Sequence, residues 1–137
     1  MALPPEVESL VADAPVSAHL ATSVAGRPHV APVWYGYRDG VVSFLTGGKK
    51  LENVRANPRV ALSIEQARDG DVDWNVTLLG TATVSEDDAD VDAASDWIYD
   101  RYEDEPDEDA RADGGEDEYD YALVTVAVGS AAWNVYE

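Results

Sequence analysis

The chain has no cysteine, one methionine and one phenylalanine in 137 residues. Disulfides, thiolate nucleophiles and sulfur-ligated metals are therefore excluded. No apolar run approaches the roughly 20 residues that a membrane-spanning helix needs. The start, MALPPEVESL, lacks the basic region and apolar stretch of a signal peptide, so a cytoplasmic location is expected. Positive charge is scarce: 9 Lys and Arg face 28 Asp and Glu, for a formal net charge of -19. Only two residues are lysine, Lys49 and Lys50, and they are neighbours. Histidine is equally rare, at His19 and His29.

Such acidity argues against binding nucleic acid or anionic membranes over most of the surface. Seventeen of the acids are Asp. This composition suits the molar salt of a halophilic, haloarchaeal-type cytoplasm, where repulsion is screened within about 3 Å; the alternative is a merely soluble acidic protein. The charge is uneven. Residues 27–68 hold seven cations against three acids, whereas residues 69–137 hold two against 22. A positive island in so acidic a chain points to an anion-binding site, although any single Arg is expected to pair with nearby carboxylates.

Length and a 45% hydrophobic content suit one globular domain spanning residues 1–137. Val7, Leu10 and Val11 predict a short helix ending near Pro15. VSAHLATSV alternates as a strand with Val16, Ala18, Leu20 and Thr22 on one face. AGRP is a turn, HVAPVWYGY a strand, RDG a hairpin turn and VVSFLT the return strand. GGKKLENVRANP predicts a two-turn helix, RVALSIEQ a strand, ARDGDVD a loop and WNVTLLGTATVS a long strand. Ser85 and Asp88 resemble a capping box opening a second helix, with Val91, Ala94, Ile98 and Tyr102 as its apolar stripe. Residues 103–118 are expected to be a solvated acidic loop, YDYALVTVAV the last strand and SAAWNVYE a tail. The sum is mainly β: a six-stranded antiparallel barrel with short helices. Pro28 and Pro32 cannot donate ladder hydrogen bonds, so they mark an edge strand or a bulge.

The lysine pair has a physical reading. Glycines let backbone approach a ligand, and the first helical turn offers free N–H groups and a positive dipole end. Thr46, Gly47, Gly48, Lys49 and Lys50 together form a candidate phosphate cradle, without the spacing of a P-loop. No catalytic set stands out, and no metal site is expected. His19 is expected at the surface or an edge, and His29 lies beside the cradle without an acid partner in sequence. Any enzyme chemistry would come from a bound cofactor.

Two segments, HLATSVAGRPHVAPVWYGYRDG and VSFLTGGKKLENVRANPRVAL, resemble the pyridoxamine 5'-phosphate oxidase-like family of FMN-binding split β-barrels. The resemblance is close over residues 19–64 and looser through LLGTATVSEDD. It implies a homodimer with FMN at the subunit interface and a small-molecule substrate. It places Ala31, Pro32, Val33 and Trp34 along the isoalloxazine, largely through backbone groups. It places Thr46, Gly47, Lys49 and Lys50 on the ribityl chain and phosphate. The family often has Ser and Arg where Gly48 and Lys49 stand, so some phosphate contacts differ. The Arg- and His-bearing end of true pyridoxamine phosphate oxidases is not matched by AAWNVYE, which implies another substrate. Trp133 is expected in dimer or core packing, or over the partner's flavin. The leading expectation is an FMN-dependent oxidoreductase. The alternatives are a reductase using a deazaflavin coenzyme, favoured if Arg27 or Arg55 lies beside the lysines, and a non-catalytic flavin-binding or stress protein.

Overall fold

Three two-residue turns organise the chain. Ala25-Gly26, Asp39-Gly40 and Asp69-Gly70 all have positive φ at both positions, the conformation whose twist matches antiparallel strands. They close the hairpins β1 (Ala18–Val24) with β2 (Arg27–Val33), β3 (Gly36–Arg38) with β4 (Val41–Thr46), and β5 (Arg59–Arg68) with β6 (Asp71–Ser85). The last strand is β7 (Ala122–Val135), and the helices are α1 (Pro5–Asp13), α2 (Gly48–Ala56) and α3 (Asp88–Tyr99). This is a computed structural model, and it describes residues 3–102 and 121–136. The expected acidic loop lies outside the described residues.

The strands form one antiparallel sheet in the order β2-β1-β5-β6-β7-β4-β3. It rolls until β2 touches β4, with no ladder joining them among the described residues, as a split barrel requires. The count is seven rather than six because HVAPVWYGY divides. Trp34 and Tyr35 leave the ladder, and the Tyr35 N–H donates instead to the Tyr102 hydroxyl (3.2 Å). That hydroxyl donates to the Val16 carbonyl (2.9 Å), and the Tyr35 hydroxyl to the Val11 carbonyl (2.6 Å). Buried backbone that abandons a ladder must find other partners, and two tyrosines supply them.

The predicted alternation holds, with Ala18, Leu20 and Thr22 buried. Leu20, Phe44, Leu62, Ile64, Val76 and Leu78 fill the barrel, and Val7 and Val11 plug one end. A smaller cluster forms where Ala94, Ile98 and Tyr102 meet Leu45. Trp97 lies so close to Gly36 that a Cβ there would collide with its ring.

Three local readings are corrected. ARDGDVD is not a loop: β5 and β6 stay paired down to Arg68 and Asp71, leaving only a two-residue turn. The cap of α3 is Asp87, whose carboxylate accepts from the N–H groups of Ala89 (2.9 Å) and Asp90 (3.3 Å). Ser85 instead bonds the Asp90 carboxylate (2.9 Å) and the Asp87 N–H (3.3 Å), so it does not box with Asp88. The tail is strand, because β7 pairs with β6 as far as Val135. Pro28 and Pro32 sit in an edge strand, whose register with β1 runs without a bulge from Val33 to Arg27.

Candidate functional site

Strand β4 delivers the chain to Thr46, which is fully buried; its hydroxyl turns to the Gly47 carbonyl (3.4 Å). Gly47 is extended, and Gly48 adopts φ +63°, a left-handed conformation that costs a side-chain-bearing residue about 1 kcal/mol or more. A Cβ on Gly48 would meet nothing, so conformation, not space, demands glycine. Helix α2 starts there, and its N-cap residue, Gly47, supplies no side-chain cap bond. The N–H groups of a first helical turn suit an anion.

The two sides of α2 differ. Lys50, Asn53 and Asn57 share one side by their spacing, and that side faces β1. Buried Asn53 donates to the Thr22 hydroxyl (3.2 Å), and Asn57 donates to the Ser23 carbonyl (3.0 Å). These two bonds fix the lysine-bearing turn against the barrel. Gly48, Leu51, Glu52 and Arg55 line the other side, a cleft of about 310 Å³ closed by Glu86, Asp88 and Tyr121. There Arg55 is ion-paired with Glu86, and Lys49 lies 3.9 Å from Glu52 with both side chains exposed. Such an exposed pair is worth little, which leaves Lys49 able to turn to a ligand.

Three of the seven cations of the predicted positive island are engaged locally. Arg68 pairs with Asp73 (2.9 Å), and the Arg38 guanidinium lies 3.8 Å from the centre of the Trp97 ring. Arg55 is held by Glu86 rather than joining the lysines.

Strand β2 is one edge of the sheet, β3 being the other, and Ala31, Pro32 and Val33 lie on β2. Ala31 is half-buried, Pro32 exposed and Val33 in the core. The Trp34 ring is committed elsewhere: it stacks on Tyr102 (4.2 Å between ring centres, 7° between planes) and meets Tyr99 edge-on (5.6 Å). The structure thus puts the β2 segment at an edge and Gly47, Lys49 and Lys50 at a helix start, with Thr46 packed beneath.

Sequence reasoning missed Thr22, Asn53 and Tyr102. The family-like segment VSFLTGGKKLENVRANPRVAL contains Asn53, but nothing local linked it to Thr22, 31 residues away. His29 was set aside for want of an acid partner, yet its Nδ1 is buried with no hydrogen-bond partner. His19 is exposed, as expected.

The outer face of the sheet is unusual for so acidic a chain. Pairing registers align Val30, Ala21, Ala61, Leu79 and Ser130 in one row across five strands. Val30 is 64% exposed and Leu79 52%. The flanking rows bring His19, Ser63 and Thr77 on one side and Ser23, Arg59 and Thr81 on the other. None of these positions is acidic. Seven of them, with Pro28, line a shallow depression of about 610 Å³ at the centre: Ala21, Ser23, Arg59, Ala61, Leu79, Thr81 and Ser130.

Among solved structures, the chain is similar to a FAD-binding protein from Mesorhizobium loti, with 21% identity over 96% of this chain and 94% of that one and a TM-score of 0.72. It is similar to an F420 reductase, with 25% identity over 95% and 98% of the two chains and a TM-score of 0.71. A conserved hypothetical protein from Mycobacterium tuberculosis gives a TM-score of 0.76 at 21% identity, over 98% of this chain and 86% of that one. No functionally curated protein matches the sequence. The family model for pyridoxamine 5'-phosphate oxidase matches residues 4–131, and the chain belongs to that family.

Proposed function

We propose that the protein is an FMN-binding oxidoreductase acting on a small molecule, working as a homodimer of single-domain chains with the cofactor at the subunit interface. One observation carries this reading: the glycine-opened start of α2, with Lys49 and Lys50, is pinned by Asn53 to the strand beside the edge strand β2. The residues fit a flavin phosphate. Helix N–H groups and two ammonium groups complement a dianion, and Gly47 and Gly48 let it approach the backbone. Unpaired backbone groups of the edge strand from Ala31 to Trp34 can bond the polar rim of the ring system. The Trp34–Tyr102 stack holds the end of that strand in place. Bound flavin supplies the hydride or electron transfer; the chain binds it, orients it and keeps water from one face.

The acid-free centre of the outer face supports the homodimer. Two copies that each carry -19 repel one another, and a patch whose one charge is Arg59 is where close approach costs least. The acidity likewise supports a halophilic cytoplasm, in which case stability should fall in dilute buffer. A salt-independent melting temperature would remove that reading.

A deazaflavin coenzyme is the second reading, favoured by the similarity to the reductase. The Arg55–Glu86 pair weighs against it, because a polyanionic tail needs a wider basic groove than Lys49 and Lys50 provide. Visible absorption after FMN is added in high salt and excess is removed by gel filtration tests the proposal. Retention of one flavin per subunit of a dimer supports it, and loss of all flavin overturns the FMN assignment. Turnover of the bound flavin with a nicotinamide donor separates an enzyme from a carrier.

A further inference from the structure

Strand β2 alternates, with His29, Ala31 and Val33 more buried than Pro28, Val30 and Pro32. His29 is the cross-strand neighbour of Thr22, and Thr22 is the residue that Asn53 holds from α2. Asn53 lies three residues beyond Lys50, on the same side of the helix. His29 therefore stands at the end of β2 nearest the lysine-bearing helix. Trp34 and its aromatic stack lie roughly 16 Å further along the strand at about 3.3 Å per residue. The strands around His29 contribute no carboxylate: β1, β2 and β4 contain neither Asp nor Glu. The one acid of α2, Glu52, lines the cleft on the helix's other side.

Among the described residues the His29 Nδ1 is buried and has no hydrogen-bond partner. Buried polar atoms without partners are rare, because the lost hydration is not replaced. In its Nδ1–H tautomer, this orphaned ring nitrogen, on the side of α2 that carries Lys50, has a complement in an anionic oxygen.

We propose that His29 donates a hydrogen bond from Nδ1 to the phosphate end of the bound coenzyme, as a third ligand group alongside Lys49 and Lys50. This rests on the flavin-phosphate reading above. His29 acts here as a specificity residue: it distinguishes a phosphorylated flavin from riboflavin and takes no part in electron transfer.

The test is a fluorescence-quenching titration of the full chain with FMN and with riboflavin, in high salt. Wild type is compared with His29→Ala, His29→Gln and His29→Asn. The Asn amide places a donor near the position of Nδ1, whereas the longer Gln side chain reaches toward that of Nε2. The preference for FMN should fall about tenfold in the Ala and Gln variants, the size of one hydrogen bond to a charged group. It should survive within about threefold in His29→Asn, and riboflavin affinity should change little in all three. If His29→Ala folds poorly, the Asn and Gln pair alone decides. Full FMN preference in the Ala or Gln variant overturns the role of His29 while leaving the lysine cradle standing. A wild type that binds FMN no more tightly than riboflavin takes down the phosphate reading and this inference together.

Discussion

Asn53→Ala probes the joint between α2 and the barrel. Asn53 is 5% exposed and Thr22 4%, and a single 3.2 Å hydrogen bond links their side chains. Removing the amide leaves the Thr22 hydroxyl buried without its donor, at about 1–3 kcal/mol. A central value of about 2 kcal/mol, set against an unfolding entropy near 2.1 cal/mol/K per residue, lowers the melting temperature of a 137-residue chain by roughly 7 °C. Thr22→Val makes the complementary break, stranding the Asn53 amide. Since each single change forfeits the same bond, the double variant should be less damaged than the sum of the two by about 1 kcal/mol. Urea melts of all four proteins at fixed high salt measure this coupling. Additivity within about 0.3 kcal/mol, or an Asn53→Ala variant as stable as wild type, would refute the claim that this bond holds the helix. The Asn57–Ser23 bond remains in either variant, so α2 should stay docked and far-UV circular dichroism should be unchanged.

Replacing both Lys49 and Lys50 with Ala should weaken FMN binding by about 2–4 kcal/mol; unchanged affinity in a titration removes the cradle. Leu79→Asp puts a charge at the acid-free centre of the outer face and should shift the protein to monomer in sedimentation, with loss of retained flavin. A dimer that persists moves the interface elsewhere. Burial, and then the hydrogen bond to Glu8 (3.0 Å) and its charge, raise the Tyr37 phenol above its ordinary 10.0. Stability from this group is therefore complete below about pH 10 and is lost as pH climbs through the raised value. Denaturant melts from pH 8 to 11 should show that decline in wild type and a flatter profile in Tyr37→Phe. Gly36→Ala forces the Trp97 ring away and should cost about 1–3 kcal/mol, read as a lower melting temperature with altered tryptophan emission.

Most elements were legible from the sequence, because their signals are local. Period-two alternation placed the strands, and the Asp39-Gly40 turn placed one of the hairpins. The Gly47-Gly48 pair before Lys49 marked the start of α2, since a left-handed residue ahead of a helix leaves few choices but glycine. The misreadings were also local. A charged sequence such as ARDGDVD looks like a loop, but a solvated ribbon keeps its ladder bonds whatever its side chains are. Ser85 looked like a cap, but Asp87 lies where its carboxylate reaches two free N–H groups.

Long-range pairing was beyond the reach of the sequence. That Pro28 and Pro32 mark an edge rather than a bulge, that Tyr102 satisfies the Tyr35 backbone 67 residues away, and that Asn53 meets Thr22 all depend on how the sheet rolls. So does the neutral row from Val30 to Ser130, whose members come from five strands that only the register aligns. The sequence by itself determined which residues could hold an anion and which segments had to be strands, because composition and periodicity are properties of neighbours along the chain. Only the tertiary structure decided which cations are engaged elsewhere, by pairing Arg55 and Arg68 with acids and setting Arg38 on a tryptophan. The reason is physical: a charge is neutralised by whatever lies within a few ångströms of it in space, and spatial neighbours are set by the fold.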